Sequence, residues 1–202
     1  MAILDLIFPK NCLECKAPGK YICDSCLKKV KKNGWNSNWV YSVWKYEKVI
    51  RKAILALKYK YSTDIAEELA THLGRVLKRE NINLDEACLV PIPLHWYRKN
   101  FRGFNQSEDV GKLIAKKMNW KFVSNLLIRK KSTIPQAQLT GSVRRENLRG
   151  VFSLNPNYDL SAIRYPLILF DDVLTTGSTL LEASKVLKKG GAKRILCLTI
   201  AK

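Results

Sequence analysis

The amino-acid sequence predicts an α/β fold in which a parallel sheet is covered by helices, with a small cysteine module before it. Strand-like and helix-like segments alternate from residue 39 to residue 201, and four cysteines lie close together near residue 20. Strands that alternate with helices are joined by right-handed crossovers, which place the strands parallel in one sheet. We therefore expect a four-cysteine module over residues 1–34 and an α/β domain over residues 35–202.

Hydrophobic periodicity sets the expected elements of the α/β domain. Aromatic and apolar residues alternate over 39–46, as in a strand, whereas apolar residues over 47–60 and from residue 64 onward recur at helical spacing. The same patterns predict strands over 87–92, 120–123, 126–129, 151–154, 165–170 and 194–201, and helices over 105–118 and 177–189. A capping group at Ser62 to Asp64 begins the second helix, and Gly190-Gly191 ends the last one.

The charge balance predicts a partner that carries phosphate groups. Lys and Arg number 36 against 17 Asp and Glu, which gives a formal net charge of +19. Such an excess attracts nucleic acid, nucleotides or an anionic membrane surface. The 47% content of hydrophobic residues is enough for a core and excludes a wholly disordered chain. No apolar run approaches the roughly 18 residues of a membrane-spanning helix, so we expect a soluble, cytoplasmic protein.

The four clustered cysteines predict a metal site. Cys12, Cys15, Cys23 and Cys26 follow the pattern C-x2-C-x7-C-x2-C. The two-residue spacing lets both thiolates of a pair face one ion, and two such pairs complete a tetrahedral site of four sulfurs. Iron could use the same ligands, but zinc is favoured because nothing nearby points to redox chemistry. A closed shell of four thiolates stabilises folding and leaves no position for catalysis, so the expected zinc is structural.

A second motif, late in the chain, predicts a site for a phosphorylated sugar. An apolar strand leads into two acids and a hydroxyl-rich turn that begins a helix. The helix N-terminus suits a phosphate, and the acids could accept the hydroxyls of a ribose directly or through Mg²⁺. The acids and hydroxyls could instead only cap the helix, but the complete strand–loop–helix run favours a ligand. The candidate residues are Asp171, Asp172, Thr175, Thr176, Gly177, Ser178 and Thr179.

Two further segments combine cations with aromatic or polar residues. Residues 95–104 interleave basic side chains with aromatic rings, a combination that can neutralise phosphates and stack unpaired bases. The arginines of residues 144–149 could fold over a polyanion. The residues that we expect to face DNA or pyrophosphate are Arg98, Lys99, Arg102, Phe104, Arg144 and Arg145. Lys112, Lys116 and Lys117 are interpreted as a solvated helix face.

These motifs resemble a known family. The run from Asp171 to Thr179 looks like the phosphoribosyl pyrophosphate (PRPP) signature of type I phosphoribosyltransferases. Other motifs resemble the ComF competence-protein family, in the family's order from residue 4 to about residue 200. They are Leu6-Ile-Phe-Pro9 before the cysteines, Leu57-Lys58-Tyr59, Val90-Pro-Ile-Pro93, Arg102-Gly-Phe-Asn-Gln106, Gln136 to Leu139, Arg144-Arg-Glu-Asn147 and Arg149-Gly150.

The resemblance implies a type I phosphoribosyltransferase-like fold with an N-terminal zinc module. It also implies binding of PRPP with Mg²⁺ and the handling of imported single-stranded DNA during natural transformation, with other competence proteins at the inner face of the membrane as candidate partners. By motif match, Asp171 and Asp172 would hold the ribose hydroxyls and Thr175 to Thr179 the 5′-phosphate. The turn after Pro93 would face pyrophosphate.

Three functions are compatible with this sequence. The first is a protein that binds PRPP or a related nucleotide and contacts single-stranded DNA. The second is an active Mg²⁺-dependent phosphoribosyltransferase whose acceptor is an unknown nucleobase or amine, and for it no catalytic residue can be named. The third is a plain nucleic-acid binder with a vestigial transferase site. The adjacent acids at 171 and 172 argue against the third, because a vestigial site has no reason to keep two repelling charges.

Overall fold

The computed structural model describes residues 9–59, 63–82, 84–94, 103–130, 150–161 and 163–202. In these ranges the helices are α1 (Asp24–Lys28), α2 (Lys48–Tyr59), α3 (Thr63–Arg79), α4 (Gln106–Met118) and α5 (Ser178–Lys189). The strands are β1 (Lys32–Ser37), β2 (Val40–Trp44), β3 (Cys88–Pro91), β4 (Lys121–Phe122), β5 (Leu127–Arg129), β6 (Phe152–Leu154), β7 (Leu167–Val173) and β8 (Ile195–Ala201).

Six of these strands form one sheet in the order β1-β2-β8-β7-β3-β4. The pairs from β2 to β4 are all parallel, as the alternation of strands and helices predicted. β1 pairs antiparallel with β2 at the edge, which the sequence did not predict. The two remaining strands, β5 and β6, form a separate antiparallel pair. The predicted α/β fold, a parallel sheet covered by helices, is therefore confirmed, with one antiparallel edge strand added.

Helices and the β5–β6 pair cover the two faces of the sheet. In β7, Ile168 and Phe170 lie in the core that contains the buried sides of α2, α3 and α4. Leu167 and Leu169 lie in the core that contains α5, β5 and β6. Successive side chains of a strand point to opposite faces, so this alternation buries β7 on both sides. Parallel strands covered in this way have their carboxyl ends at one common edge, where ligands bind in open α/β sheets.

The N-terminus of α4 is fixed to the end of β3 by its capping residue. The Asn105 side chain accepts a hydrogen bond of 3.2 Å from the backbone N–H of Ser107 and donates one of 3.1 Å to the carbonyl of Ile92. Ile92 in turn donates its backbone N–H to the carbonyl of Phe170 in β7, at 2.9 Å. The first turn of α4 therefore lies beside the carboxyl end of β7.

The cysteine module packs directly on the α/β domain. Ile22 and Val30 are buried in the same core as α2 and α3. The Glu68 carboxylate of α3 accepts backbone N–H groups from Tyr21 at 3.1 Å and from Ile22 at 2.7 Å. β1 crosses the predicted boundary at residue 34, and the division of the chain at that position stays a prediction. None of the helices in the described ranges has the length and apolar character needed to cross a membrane.

Candidate ligand cavity and cysteine cluster

A cavity of about 220 Å³ opens at the carboxyl end of β7. Its walls come from the end of α2, the first turn of α4, β5, β7 and the loop that leads into α5. The residues that line it are Lys58, Ile92, Leu94, Gln106, Ser107, Arg129, Asp171, Asp172, Val173, Leu174, Thr175, Gly177, Thr179 and Leu180. Five of the seven predicted phosphosugar residues are in this set. Thr176 and Ser178 are outside it, although they lie on the same turn.

The Asp171 carboxylate is held by two hydrogen bonds to one oxygen. The Ser107 hydroxyl donates to Oδ1 at 3.1 Å, and the backbone N–H of Asp172 donates to the same oxygen at 2.9 Å. Burial and the neighbouring charge of Asp172 raise the pKa of Asp171 to about 7, against the lowering effect of these hydrogen bonds and of Lys58. Asp171 therefore exchanges its proton near neutral pH, whereas an ordinary aspartate is ionised there.

Asp172 is paired with a lysine from a distant part of the sequence. The Lys58 Nζ lies 2.8 Å from Oδ2 of Asp172, and the side chains are only 23% and 13% exposed. Burial alone would lower the pKa of Lys58, but the charge and hydrogen bond of Asp172 outweigh it, and the pKa of Lys58 is raised. The ammonium group is therefore a permanent positive charge in the wall of the cavity.

The loop between β7 and α5 presents backbone and hydroxyl donors. Gly177 is the N-cap of α5 with φ of 75°, a conformation that favours glycine, and it has no side chain to satisfy the first N–H groups of the helix. Thr176 Oγ1 lies 2.9 Å from Ser178 Oγ and accepts the Ser178 backbone N–H at 3.4 Å. The N-terminus of this twelve-residue helix thus offers donors and a partial positive charge to an anion.

The acids belong to the strand itself. The sequence placed them after a strand ending at residue 170, but β7 continues to Val173, and Asp171 is paired in register with Thr199 of β8. The ladder therefore fixes the backbone of both acids, which a loop would not do as firmly. A rigid strand end is a better support for a binding site than a mobile turn.

Sequence reasoning missed the roles of four residues in the cavity wall. Lys58 and Gln106 were quoted only as parts of family-like motifs, and Ser107 and Arg129 were not singled out. Gln106 is 3% exposed, and its Nε2 has no hydrogen-bond partner among the described residues. The motifs that contain Lys58 and Gln106 marked both residues as candidates for a functional role. Those motifs did not indicate which residues the two side chains contact.

Most of the predicted basic loop lies outside the described residues. This applies to Arg98, Lys99, Arg102, Arg144 and Arg145. Phe104 is described, and it lines a separate pocket of about 450 Å³ together with Leu57, Leu113 and other residues. Gln106 contributes to the walls of both this pocket and the cavity at β7.

The four cysteines of the N-terminal module meet at one point. Their sulfurs all lie within 4.8 Å of one another, and Cys15 and Cys23 are 3.7 Å apart. Four sulfurs at about 2.3 Å from a tetrahedral ion are separated by about 3.8 Å, so the cluster could hold a metal ion. A hydrogen bond from Ser25, whose Oγ lies 3.1 Å from Sγ, lowers the pKa of Cys23 to about 6. The thiolate form of Cys23 is thus available at neutral pH, whereas burial raises the pKa of Cys26 to about 12 in the metal-free cluster.

Comparison with proteins of known sequence gives relatives along most of the chain. "Competence protein F" of Haemophilus influenzae is 32% identical over 177 residues, which are 86% of this chain and 75% of that protein. "DNA utilization protein YhgH" of Salmonella typhimurium is 29% identical over 94% of this chain and 84% of that protein, and the protein of the same name from Escherichia coli K12 is 28% identical. No family model matches the sequence.

The solved structures to which this chain is similar are more distant. The glutamine PRPP amidotransferase of B. subtilis, complexed with ADP and GMP, has a TM-score of 0.46 and 14% identity. The match covers 72% of this chain and spans 30% of that one. Adenine phosphoribosyl transferase from Trypanosoma brucei, in complex with AMP, pyrophosphate and ribose-5-phosphate, has a TM-score of 0.38 and 13% identity, over 87% of this chain and 64% of that one.

Proposed function

Because this chain belongs to the ComF competence-protein family, we propose that it binds PRPP or a related nucleotide and handles single-stranded DNA during natural transformation. The observation that carries the nucleotide part is the cavity in which two acids of β7 and the N-terminus of α5 meet. An acid pair beside an anion-binding helix end fits a sugar that carries both hydroxyls and a phosphate.

In this proposal, different residues bind the ribose, the 5′-phosphate and the diphosphate of PRPP. One carboxylate oxygen of Asp171 and one of Asp172 have no hydrogen bond or ion pair among the described residues, and these two accept hydrogen bonds from the ribose hydroxyls. The backbone from Thr175 to Thr179 binds the 5′-phosphate. The turn after β3, which contributes Ile92 and Leu94 to the cavity wall, faces the diphosphate. Mg²⁺ arrives with the diphosphate as part of the substrate and neutralises its charge. The four cysteines hold zinc, which stabilises the N-terminal module.

The DNA part is supported by charge and by the relatives. Two kinds of relative carry the names competence protein F and DNA utilization protein. The net charge of +19 and the mixture of cations and aromatic residues over 95–104 suit the backbone and unpaired bases of a single strand. Other competence proteins at the inner face of the membrane are the proposed protein partners.

An active Mg²⁺-dependent phosphoribosyltransferase is the second candidate. It is favoured by two cationic side chains, Lys58 and Arg129, in the wall of the same cavity. Cations placed there would stabilise the charge that develops as diphosphate leaves the sugar. The acceptor would be a nucleobase or an amine. Pyrophosphate release, measured with PRPP and a panel of nucleobases and amines, separates the two candidates: acceptor-dependent release supports turnover, and its absence with retained PRPP binding supports a binding protein.

Thermal unfolding with and without Mg²⁺-PRPP tests the nucleotide site. We expect PRPP to raise the melting temperature of the protein, because a ligand that binds only the native state stabilises it. The double variant Asp171→Asn with Asp172→Asn should show no shift relative to its own ligand-free form. Asp159→Asn, at an exposed acid whose carboxylate accepts hydrogen bonds from Ser161, is the matched control and should keep the shift. An undiminished shift in the double variant would exclude the proposed sugar contact.

The salt dependence of single-stranded DNA binding tests the DNA part of the proposal. Affinity should fall steeply with salt. The double variant Arg98→Ala with Arg102→Ala should lose about two phosphate contacts, so its affinity should fall less steeply as salt rises. Lys112→Ala with Lys116→Ala removes the same charge from a helix face and should leave the slope nearly unchanged. Binding that does not change with salt would contradict contact with the DNA backbone.

A further inference from the structure

Lys58 reaches the proposed sugar site from the N-terminal half of the chain. It lies in the last turn of α2, whose buried residues Val49, Ile50, Ala53, Ile54 and Leu57 fix this helix in the core. The ammonium group meets Asp172 at 2.8 Å, and both side chains are largely shielded from solvent. A shielded pair of this kind gains little net stability, because removing two charges from water costs about as much as their attraction returns. Stabilising the fold therefore does not explain the Lys58–Asp172 pair.

The contacts of the two acids leave one oxygen of each available. Among the described residues, the hydrogen bonds and ion pairs of the two carboxylates use Oδ1 of Asp171 and Oδ2 of Asp172. The remaining oxygens belong to residues that line the cavity. Ser107 thus fixes the orientation of the Asp171 carboxyl group, and Lys58 fixes that of Asp172. Two adjacent acceptors of fixed orientation match the two neighbouring hydroxyls of a ribose ring.

A divalent ion between the acids and the sugar would have to compete with this arrangement. Mg²⁺ requires near-octahedral coordination by oxygens at about 2.0–2.1 Å. The ammonium group of Lys58 already occupies Oδ2 of Asp172 and supplies a positive charge at that point. A second cation next to it would be repelled.

Resting on the proposed function, we infer that Lys58 is a positioning residue that replaces a divalent ion: it holds Asp172 so that the acid pair binds the vicinal hydroxyls of a pentose 5-phosphate without metal. Mg²⁺ is then needed only for the diphosphate of PRPP. The ligand class that follows is any ribose 5-phosphate with both hydroxyls free, with or without a diphosphate.

Calorimetric titration with ribose 5-phosphate tests this inference, since that probe has no diphosphate to bring Mg²⁺. We expect the wild-type affinity to agree within about twofold in excess EDTA and in Mg²⁺. Lys58→Met should weaken binding in EDTA by about tenfold, the effect of losing a charge-assisted contact. Lys52→Met is the matched control on the same helix, because Lys52 pairs with Glu14 at 3.1 Å, outside the cavity. Its affinity should equal that of the wild type.

Titration with 2-deoxyribose 5-phosphate separates positioning from a general structural effect. The wild type should prefer ribose 5-phosphate by about tenfold, because the deoxy sugar leaves one acid oxygen without a partner. Lys58→Met should lose most of this preference, whereas a merely structural role would weaken both sugars equally. Lys58→Arg keeps the charge and should retain part of the preference for ribose 5-phosphate. If Lys58→Met folds poorly, this second variant provides the test.

Two results would overturn the inference while leaving the proposed function in place. One is wild-type binding of ribose 5-phosphate that disappears in EDTA and returns with Mg²⁺. The other is an unchanged preference between the two sugars in Lys58→Met. A wild-type protein that binds neither sugar phosphate nor Mg²⁺-PRPP would contradict the proposed function itself, and the inference with it.

Discussion

The Ser107 hydroxyl, in the first turn of α4, donates a hydrogen bond of 3.1 Å to Oδ1 of Asp171 in β7. The two residues are 64 positions apart in sequence, and the bond joins the first turn of α4 to the acid pair. Asn105 caps the same turn and binds it to the carbonyl of Ile92. The orientation of Asp171 is therefore set by α4, the helix that follows the turn proposed to face the diphosphate.

Removing this hydroxyl should weaken ligand binding without unfolding the protein. Ser107→Ala deletes one hydrogen bond to Asp171, and we expect PRPP affinity to fall by about three- to tenfold. Ser184→Ala is a suitable control, because Ser184 is a buried serine whose hydroxyl bonds within α5 to the carbonyl of Leu181. Calorimetric titration of both variants measures the effect. Equal affinities in Ser107→Ala and the wild type would show that Ser107 does not position the acid.

The raised pKa of Asp171 should make the ligand-free protein less stable at higher pH. In the folded state this pKa is about 7, against an ordinary value of 3.8, so between these values the native state binds a proton that the unfolded state has released. Stability from this group is fully present below pH 3.8 and is lost as pH rises toward 7.

The variant Asp171→Asn removes this titrating group, and its melting temperature at two pH values measures the effect. We expect it to raise the melting temperature by about 3 °C or more at roughly pH 8 and by much less at roughly pH 5. Asp159→Asn should show no such difference between these two pH values, because its hydrogen bonds to Ser161 lower the pKa of Asp159 and its carboxylate is ionised at both. A stabilising effect of Asp171→Asn that is the same at both pH values would contradict the assignment.

Gln106 should show opposite effects on stability and on binding. Its Nε2 is a buried donor without a partner in the described part of the chain, which costs roughly 1–3 kcal/mol. Gln106→Met keeps the length of the side chain and removes this donor, so the melting temperature of the ligand-free protein should rise by about 2 °C or more. PRPP affinity should fall, because Gln106 lines the cavity that the ligand would fill. Lower stability together with unchanged affinity would show that the amide serves only the fold.

Metal removal should destabilise the N-terminal module first. We expect one zinc ion per chain by metal analysis, and a chelator should lower the melting temperature because Ile22 and Val30 depend on the module for their burial. Cys15→Ser should lose the metal, whereas Cys88→Ala, in β3, should retain one equivalent. A chain purified without any bound metal would remove the ion from the proposal.

Periodic and local signals predicted most elements of the fold. Asn105 was expected to begin a helix and is the N-cap of α4, and the acid–hydroxyl run was expected to form one site and lies around one cavity. β1 could not be predicted, because its residues other than Trp35 are polar or glycine and show no apolar alternation. This strand forms by backbone pairing with β2 and by an edge-to-face contact of Trp35 with Tyr41, at 5.3 Å between ring centres.

The partners of the acids could not be predicted for a different reason. Lys58 and Ser107 are remote from Asp172 and Asp171 in sequence, and only the packing of α2 and α4 on the sheet brings them together. A lysine at the end of an amphipathic helix is normally solvated, so nothing local distinguishes Lys58 from Lys52. Contacts of this kind depend on tertiary structure, which periodicity does not report.

A crystal structure of the protein with ribose 5-phosphate tests the central claim most directly. We expect the phosphate at the N-terminus of α5, accepting backbone N–H groups between Thr175 and Thr179, and the ring hydroxyls on Asp171 and Asp172. A structure in which the sugar phosphate lies elsewhere, with this cavity filled by side chains or solvent, would contradict the account.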